Sequence, residues 1–152
     1  MNQNNTPLFT AVKKYKDEKP AYFCIPGHRA ARGIAAEWIE DVGEQIFGYD
    51  LTEAHGLDDL HAPEGAIKEA QDLTADLYGA DKSWFLVNGT TCGNEAMLLS
   101  VLRPGDKVLL PRNVHKSMLM GLILSGAIPV WMMPEYIAPL QIFGGIRPEA
   151  VE

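Results

Sequence analysis

Trp84-Phe85-Leu86-Val87-Asn88-Gly89-Thr90-Thr91-Cys92-Gly93-Asn94 is the stretch that decides the fold. It opens on an apolar run of strand length. Glycine, threonine and asparagine, the chemistry of a tight turn, come next, and Glu95 to Leu102 then reads as helix. Further along, Arg103-Pro104-Gly105-Asp106 marks another turn and Lys107-Val108-Leu109-Leu110 another strand. Val114 to Ser125 reads as a helix ended by Gly126, and Ile128 to Met133 as a third strand. Residues 84–133 therefore spell β-α-β-α-β, with connections short enough for a parallel sheet.

The part before it has a different rhythm. Thr6 followed by Pro7 is a helix start, with Leu8, Val12 and Tyr15 on one face. Ala21 to Ile25 is a brief apolar run stopped by Pro26-Gly27, after which Ile34, Trp38, Ile39, Val42 and Ile46 recur at helical spacing. From Pro63 to Tyr78, the residues Ala66, Ile67, Ala70, Leu73 and Leu77 form one stripe, with Pro63 and Glu64 suited to the first turn and Gly79 to the stop. This divides the chain into an N-terminal helical and loop segment, residues 1–62, and an α/β domain, residues 63–152.

Composition narrows the function classes. With 47% apolar and 22% charged residues, 152 residues suffice for one sizeable core. The formal net charge of −7 has the wrong sign for a nucleic-acid backbone binder. Cys24 and Cys92 form no disulfide framework and no zinc-type spacing, which points to a reducing cytoplasm. The polar start Met1 to Thr6 and the lack of any apolar run of spanning length argue against a leader or a membrane segment.

In an open parallel sheet, ligands bind beyond the C-terminal ends of the strands, where helix N-termini offer unpaired N–H groups. The turn Asn88 to Asn94 combines glycines that admit an anion with hydroxyls that donate to it. It lacks the lysine of a nucleotide loop and the spacing of a dinucleotide fingerprint, so a phosphate monoester on a small cofactor fits better. The alternative is a Thr- and Gly-rich helix cap with no ligand. The turn Arg112-Asn113-Val114-His115-Lys116-Ser117 places an imidazole beyond the neighbouring strand, where it can lie over a planar ring or simply cap a helix.

Several co-linear runs now carry a resemblance. Leu57-Asp58-Asp59-Leu60-His61-Ala62-Pro63-Glu64-Gly65, Tyr78-Gly79-Ala80-Asp81, the Asn88–Asn94 turn, Pro111-Arg112-Asn113-Val114-His115-Lys116-Ser117, Pro26-Gly27-His28 and Ser125-Gly126-Ala127 resemble the bacterial ornithine/lysine/arginine decarboxylase family over essentially the whole chain. The resemblance implies part of the parallel-sheet, three-layer α/β/α large domain of a fold-type-I enzyme dependent on pyridoxal 5'-phosphate. It also implies a small amino-acid substrate, a polyamine and CO2 as products, and a homo-oligomer, dimer or larger, with sites at subunit interfaces. By position, Thr90, Thr91, Cys92 and Gly93 lie in the phosphate-binding turn, and His115 matches the histidine that stacks on the pyridine ring. Cys92 occupies a variable position, where its backbone N–H still serves.

The family also needs an aspartate on the pyridinium nitrogen and a lysine that holds the cofactor covalently. Glu53-Ala54-His55-Gly56 echoes the aspartate motif but precedes the phosphate turn in a poor strand context, and Lys116 matches only the residue after the stacking histidine. The chain is therefore expected to be an N-terminal piece, ending on Pro148-Glu149 like a helix without a body, and inactive alone. Another fold-type-I enzyme, an aldolase or aminotransferase, and a non-catalytic fragment that pairs with a full-length relative are the rival readings. Asp58, Asp59 and His61 either line an entrance or cap the helix after Pro63, and His28 either nears a partner's site or braces its turn.

Overall fold

The computed structural model describes residues 1–151, which fall into two compact units divided between Phe85 and Leu86. Helix α1 spans Pro7–Glu18, and proline at its first position supplies a preset φ without wasting an N–H. The apolar periodicity from Ile34 to Ile46 does not give one helix. It gives α2, Ala36–Val42, then a 3₁₀ turn, Glu44–Gly48, because Gly43 between them adopts φ +81° and breaks the ladder. Helix α3, Ala66–Tyr78, ends on the left-handed Gly79 as its sequence requires, and packs on α1. Its inward side is Ile67, Gln71 and Ala75, and with Ala31 and Leu57 these form the small core of the first unit, while Leu77 is exposed. Asp58 fixes where α3 starts. Its carboxylate accepts N–H bonds from Gly65 (2.9 Å), Ile67 (2.9 Å) and Lys68 (3.2 Å) at the helix end, and from Glu64 (3.0 Å) and Asp59 (2.9 Å) in the loop.

The expected first strand, Trp84 to Val87, which runs from the last residues of the first unit into the second, does not form. The segment has strand composition, but a strand exists only through a neighbour's hydrogen bonds, and among the described residues none pairs with it. The order over residues 84–133 is thus extended segment, helix, strand, helix, strand. Helix α4 runs Gly89–Val101, beginning six positions before the expected Glu95, so most of the Asn88–Asn94 turn is helix. Strand β1, Lys107–Pro111, leads through α5, Lys116–Ser125, to β2, Ile128–Met132. The strands pair in parallel from Lys107 opposite Ile128 to Pro111 opposite Met132. The Arg103–Asp106 turn is closed by Asp106 accepting the Arg103 N–H at 2.8 Å, and Gly105 donates to the Gly126 carbonyl at 3.0 Å. A short antiparallel pair not foreseen from sequence, β3 (Tyr136–Ile137) with β4 (Ile142–Phe143), follows.

Helices α4 and α5 pack against one another in this unit. The buried side of α5 is Ser117, Gly121, Leu122 and Ser125, so three small residues one turn apart face inward while Ile123 and Leu124 are exposed. A Cβ on Gly121 would meet Leu98 Cδ1 at 2.5 Å and Leu98 Cβ at 3.2 Å. The absent side chain is what lets the helices approach this closely. Leu98, Leu110 and Leu122 form the apolar core, and Val87, Val101 and Met133 remain exposed. No helix among the described residues is long and apolar enough to cross a membrane.

Candidate functional site

The start of α4 has the local chemistry of an anion seat. Gly89 takes φ +68°, a left-handed turn from the extended segment into the helix that costs a side-chain-bearing residue roughly 1–2 kcal/mol. The N–H groups of Gly89, Thr90 and Thr91 belong to a first turn that has no intrahelical acceptors. Asn88 makes no side-chain cap bond and the first turn carries no acidic residue, so nothing described neutralises the positive end of the helix. Thr90 and Thr91 are exposed, whereas Cys92 and Gly93 are half-buried. Gly93 is tightly placed, since a Cβ there would lie 2.5 Å from Leu86 Cδ1.

His115 stands where β1 gives way to α5, beyond the C-terminal end of the strand, as the N-cap of that helix. Its Nδ1 accepts the Ser117 N–H at 3.2 Å and lies 2.8 Å from Ser117 Oγ. On the other side of that hydroxyl, Asn94 of α4 donates through Nδ2 at 2.7 Å. The structure therefore ties the two sequence-predicted turns together through Ser117, which is 1% exposed. The sequence alone gives Asn94 and Ser117 no role of their own. A weak signal was present: Ser117 sits two residues after a helix-capping histidine, where its N–H must find an acceptor. Arg112 and Lys116 flank His115, both exposed, and the Arg112 guanidinium lies 5.1 Å from the Trp131 ring.

The other candidates lie in the first unit. Burial pushes the Asp58 carboxyl up, but the N–H groups of Glu64, Asp59, Gly65 and Lys68 outweigh this and hold it well below the usual carboxylate range. Its geometry is that of a helix cap. Asp59 accepts the His61 N–H at 2.7 Å, a contact within the same loop. Glu53, the aspartate look-alike, accepts the Leu60 N–H at 3.0 Å from a loop rather than a buried strand. His28 bonds Asp50 through Nε2 at 3.1 Å and rests on Phe47 at 5.5 Å between ring centres, which braces its turn. Among the described residues no group of His, Cys, Asp and Glu is arranged to hold a metal.

Residues 6–152 match the family described as Orn/Lys/Arg decarboxylase, major domain. The chain is 43% identical to an arginine decarboxylase of Bacillus subtilis over all of its own length and 31% of that protein. It is 45% identical to an arginine decarboxylase of Bacillus anthracis, again over 100% of this chain and 31% of the relative. Among solved structures, the lysine decarboxylase of Francisella novicida superposes with a TM-score of 0.82 at 28% identity, covering 95% of this chain and 21% of that one. The chain thus spans about a third of the length of these two Bacillus relatives.

Proposed function

The chain belongs to the Orn/Lys/Arg decarboxylase family, and from that premise we propose that it forms the phosphate-binding and ring-stacking part of a pyridoxal 5'-phosphate site in a decarboxylase of a basic amino acid. The observation that carries the reading is the open N-terminus of α4 tied, through Ser117, to His115. These residues fit a phosphate monoester: free N–H groups, exposed hydroxyls and no competing carboxylate in the first turn. Thr90 and Thr91 would donate to phosphate oxygens through hydroxyl and backbone, and Cys92 and Gly93 through backbone alone. His115 would stack on the pyridine ring and hold its plane. When bound, the cofactor supplies the electron sink for loss of the substrate carboxylate as CO2.

On this reading residues 63–152 are the cofactor-binding portion of a fold-type-I large domain and residues 1–62 a preceding segment. The extended run at Trp84 is a sheet strand in the complete enzyme, a cytoplasmic homo-oligomer. The exposed Trp84, Val87, Ile123, Leu124 and Met133 support a larger assembly, since apolar surface of this kind calls for cover. Family membership makes decarboxylation our preference over an aldolase or aminotransferase reaction. The lysine that holds the cofactor and the acidic partner of its ring nitrogen have no counterpart in the motifs of these residues, so the chain binds without turnover. Arginine, lysine and ornithine are the substrate candidates, with arginine first to assay because the two Bacillus arginine decarboxylases share 43–45% identity with this chain.

The test is titration of the chain with pyridoxamine 5'-phosphate and with pyridoxamine. Binding is expected for the phosphate ester only, weakened roughly tenfold for each of Thr90→Val and Thr91→Val, the loss of one hydrogen bond to a charged group. Equal affinity for both amines would sink the reading. A borohydride-reduced adduct of pyridoxal 5'-phosphate on one defined lysine would overturn its second part.

A further inference from the structure

Ser117 has the most buried side chain in the described chain, and its hydroxyl is hydrogen-bonded on both sides. The polarity of that chain of bonds follows from chemistry. The Ser117 backbone N–H can only donate, and it points at His115 Nδ1 from 3.2 Å. This long contact favours a lone pair on that nitrogen, with the ring proton on Nε2, and leaves most of the hold on the tautomer to the shorter bond from the side-chain hydroxyl. Ser117 Oγ, 2.8 Å from the same Nδ1, then serves it as a donor as well. A hydroxyl has one proton, so what remains for the neighbouring helix is its lone pairs, which the Asn94 amide fills with an N–H at 2.7 Å. Reversing the Asn94 amide would give the Ser117 hydroxyl two acceptors for one proton.

We propose that Asn94 and Ser117 are positioning residues that lock His115 into its Nε2–H tautomer and fix its ring plane, leaving the Nε2–H edge turned outward. Their setting supports this. Leu98 and Gly121 lie one turn beyond Asn94 and Ser117 on their helices, and the close approach at that pair keeps the hydroxyl within reach of the amide. A side chain held this way spends no rotamer entropy when a planar ligand stacks on it. The proposal deepens the reading of His115 as the ring-stacking residue and rests on it for its functional meaning, though the tautomer itself does not.

The experiment is long-range proton–nitrogen correlation NMR of the ¹⁵N-labelled chain at a pH of about 8, above the usual histidine range of about 6.5. The chain has four histidines, and the His115 ring is assigned by its loss in His115→Gln. The wild-type ring is expected almost wholly as Nε2–H; a ring found as Nδ1–H, or as an even mixture, overturns the proposal without any variant. Asn94→Asp turns the donor to Ser117 into an acceptor and should draw the hydroxyl proton away, raising the Nδ1–H population. Ser117→Ala should do the same by deletion, and Ser117→Thr should restore the wild-type pattern. An unchanged tautomer ratio in folded Asn94→Asp refutes the relay. Pyridoxamine 5'-phosphate then separates the two readings. If the tautomer is as expected but His115 signals ignore the ligand, the relay stands and the cofactor assignment falls; if both hold, Asn94→Asp weakens the ligand roughly 2–10-fold.

Discussion

Asp58 offers the sharpest test of how the first unit is built. Its carboxylate gathers five backbone N–H groups, three of them at the start of α3, while its own backbone sits at φ +75°. Asp58→Ala removes the acceptor and places a Cβ-bearing residue without local hydrogen bonding in the left-handed region. Losing a cap costs about 1–2 kcal/mol and the backbone about 1 more, so roughly 2–3 kcal/mol is expected. Asp58→Gly keeps the lost cap but relieves the backbone. Asp58→Asn tolerates the backbone, keeps one acceptor and loses only the charge, at about 1 kcal/mol. The order of stability should be wild type, Asn, Gly, Ala, read by urea unfolding and by hydrogen exchange at the Ile67 and Lys68 amides. The folded carboxyl titrates below its unfolded value of about 3.9, so its contribution is complete above that pH and is lost as pH falls toward the folded value. The gap between wild type and Asp58→Asn should therefore be constant near neutrality and close below pH ~4. An Ala variant within about 0.5 kcal/mol of wild type, or a gap that ignores acid, would refute the reasoning.

Other substitutions probe the second unit. Gly121→Ala should destabilise α4 against α5 by a net ~1 kcal/mol in thermal unfolding, overpacking against Leu98 outweighing the gain in helix propensity. Gly89→Ala meets nothing within 4 Å, so its cost should be backbone strain alone, about 1 kcal/mol, with Gly89→Asn milder; pyridoxamine 5'-phosphate affinity should fall in parallel. Arg147, through a hydrogen bond and its charge, holds the Glu135 carboxyl below the ordinary range. In Arg147→Gln, carbon-detected titration of Glu135 should move up to that range, and no move would mean that the pair does not form in solution.

Much of the molecule is legible in its sequence where the signal is local. Pro7 and Gly79 mark ends of α1 and α3, and the short apolar runs at Lys107 and Ile128 become β1 and β2. The Thr- and Gly-rich run and His115 stand out in the sequence as the candidate site, although the helix that carries the run starts at Gly89 rather than Glu95. The early start of α4 was missed because Gly89, Thr90, Thr91 and Asn94 are weak helix formers, and packing against α5 overrides them. Trp84 to Val87 has the composition of a strand, but composition says nothing of a partner.

What only the tertiary structure decided are the through-space choices. Helix α5 is apolar nearly all round, so no periodicity reveals that its small side, Ser117, Gly121 and Ser125, turns inward and Ile123 and Leu124 outward. Asp58 was equally a cap or an entrance residue until the loop carried its carboxylate onto the N–H groups of α3. Asn94 meets Ser117 across 23 residues of sequence. The sequence by itself determined which residues bend, cap and extend, because those preferences act within a turn of chain. Which groups meet depends on how closely two helices approach, and that was settled by Gly121, where a missing side chain admits Leu98.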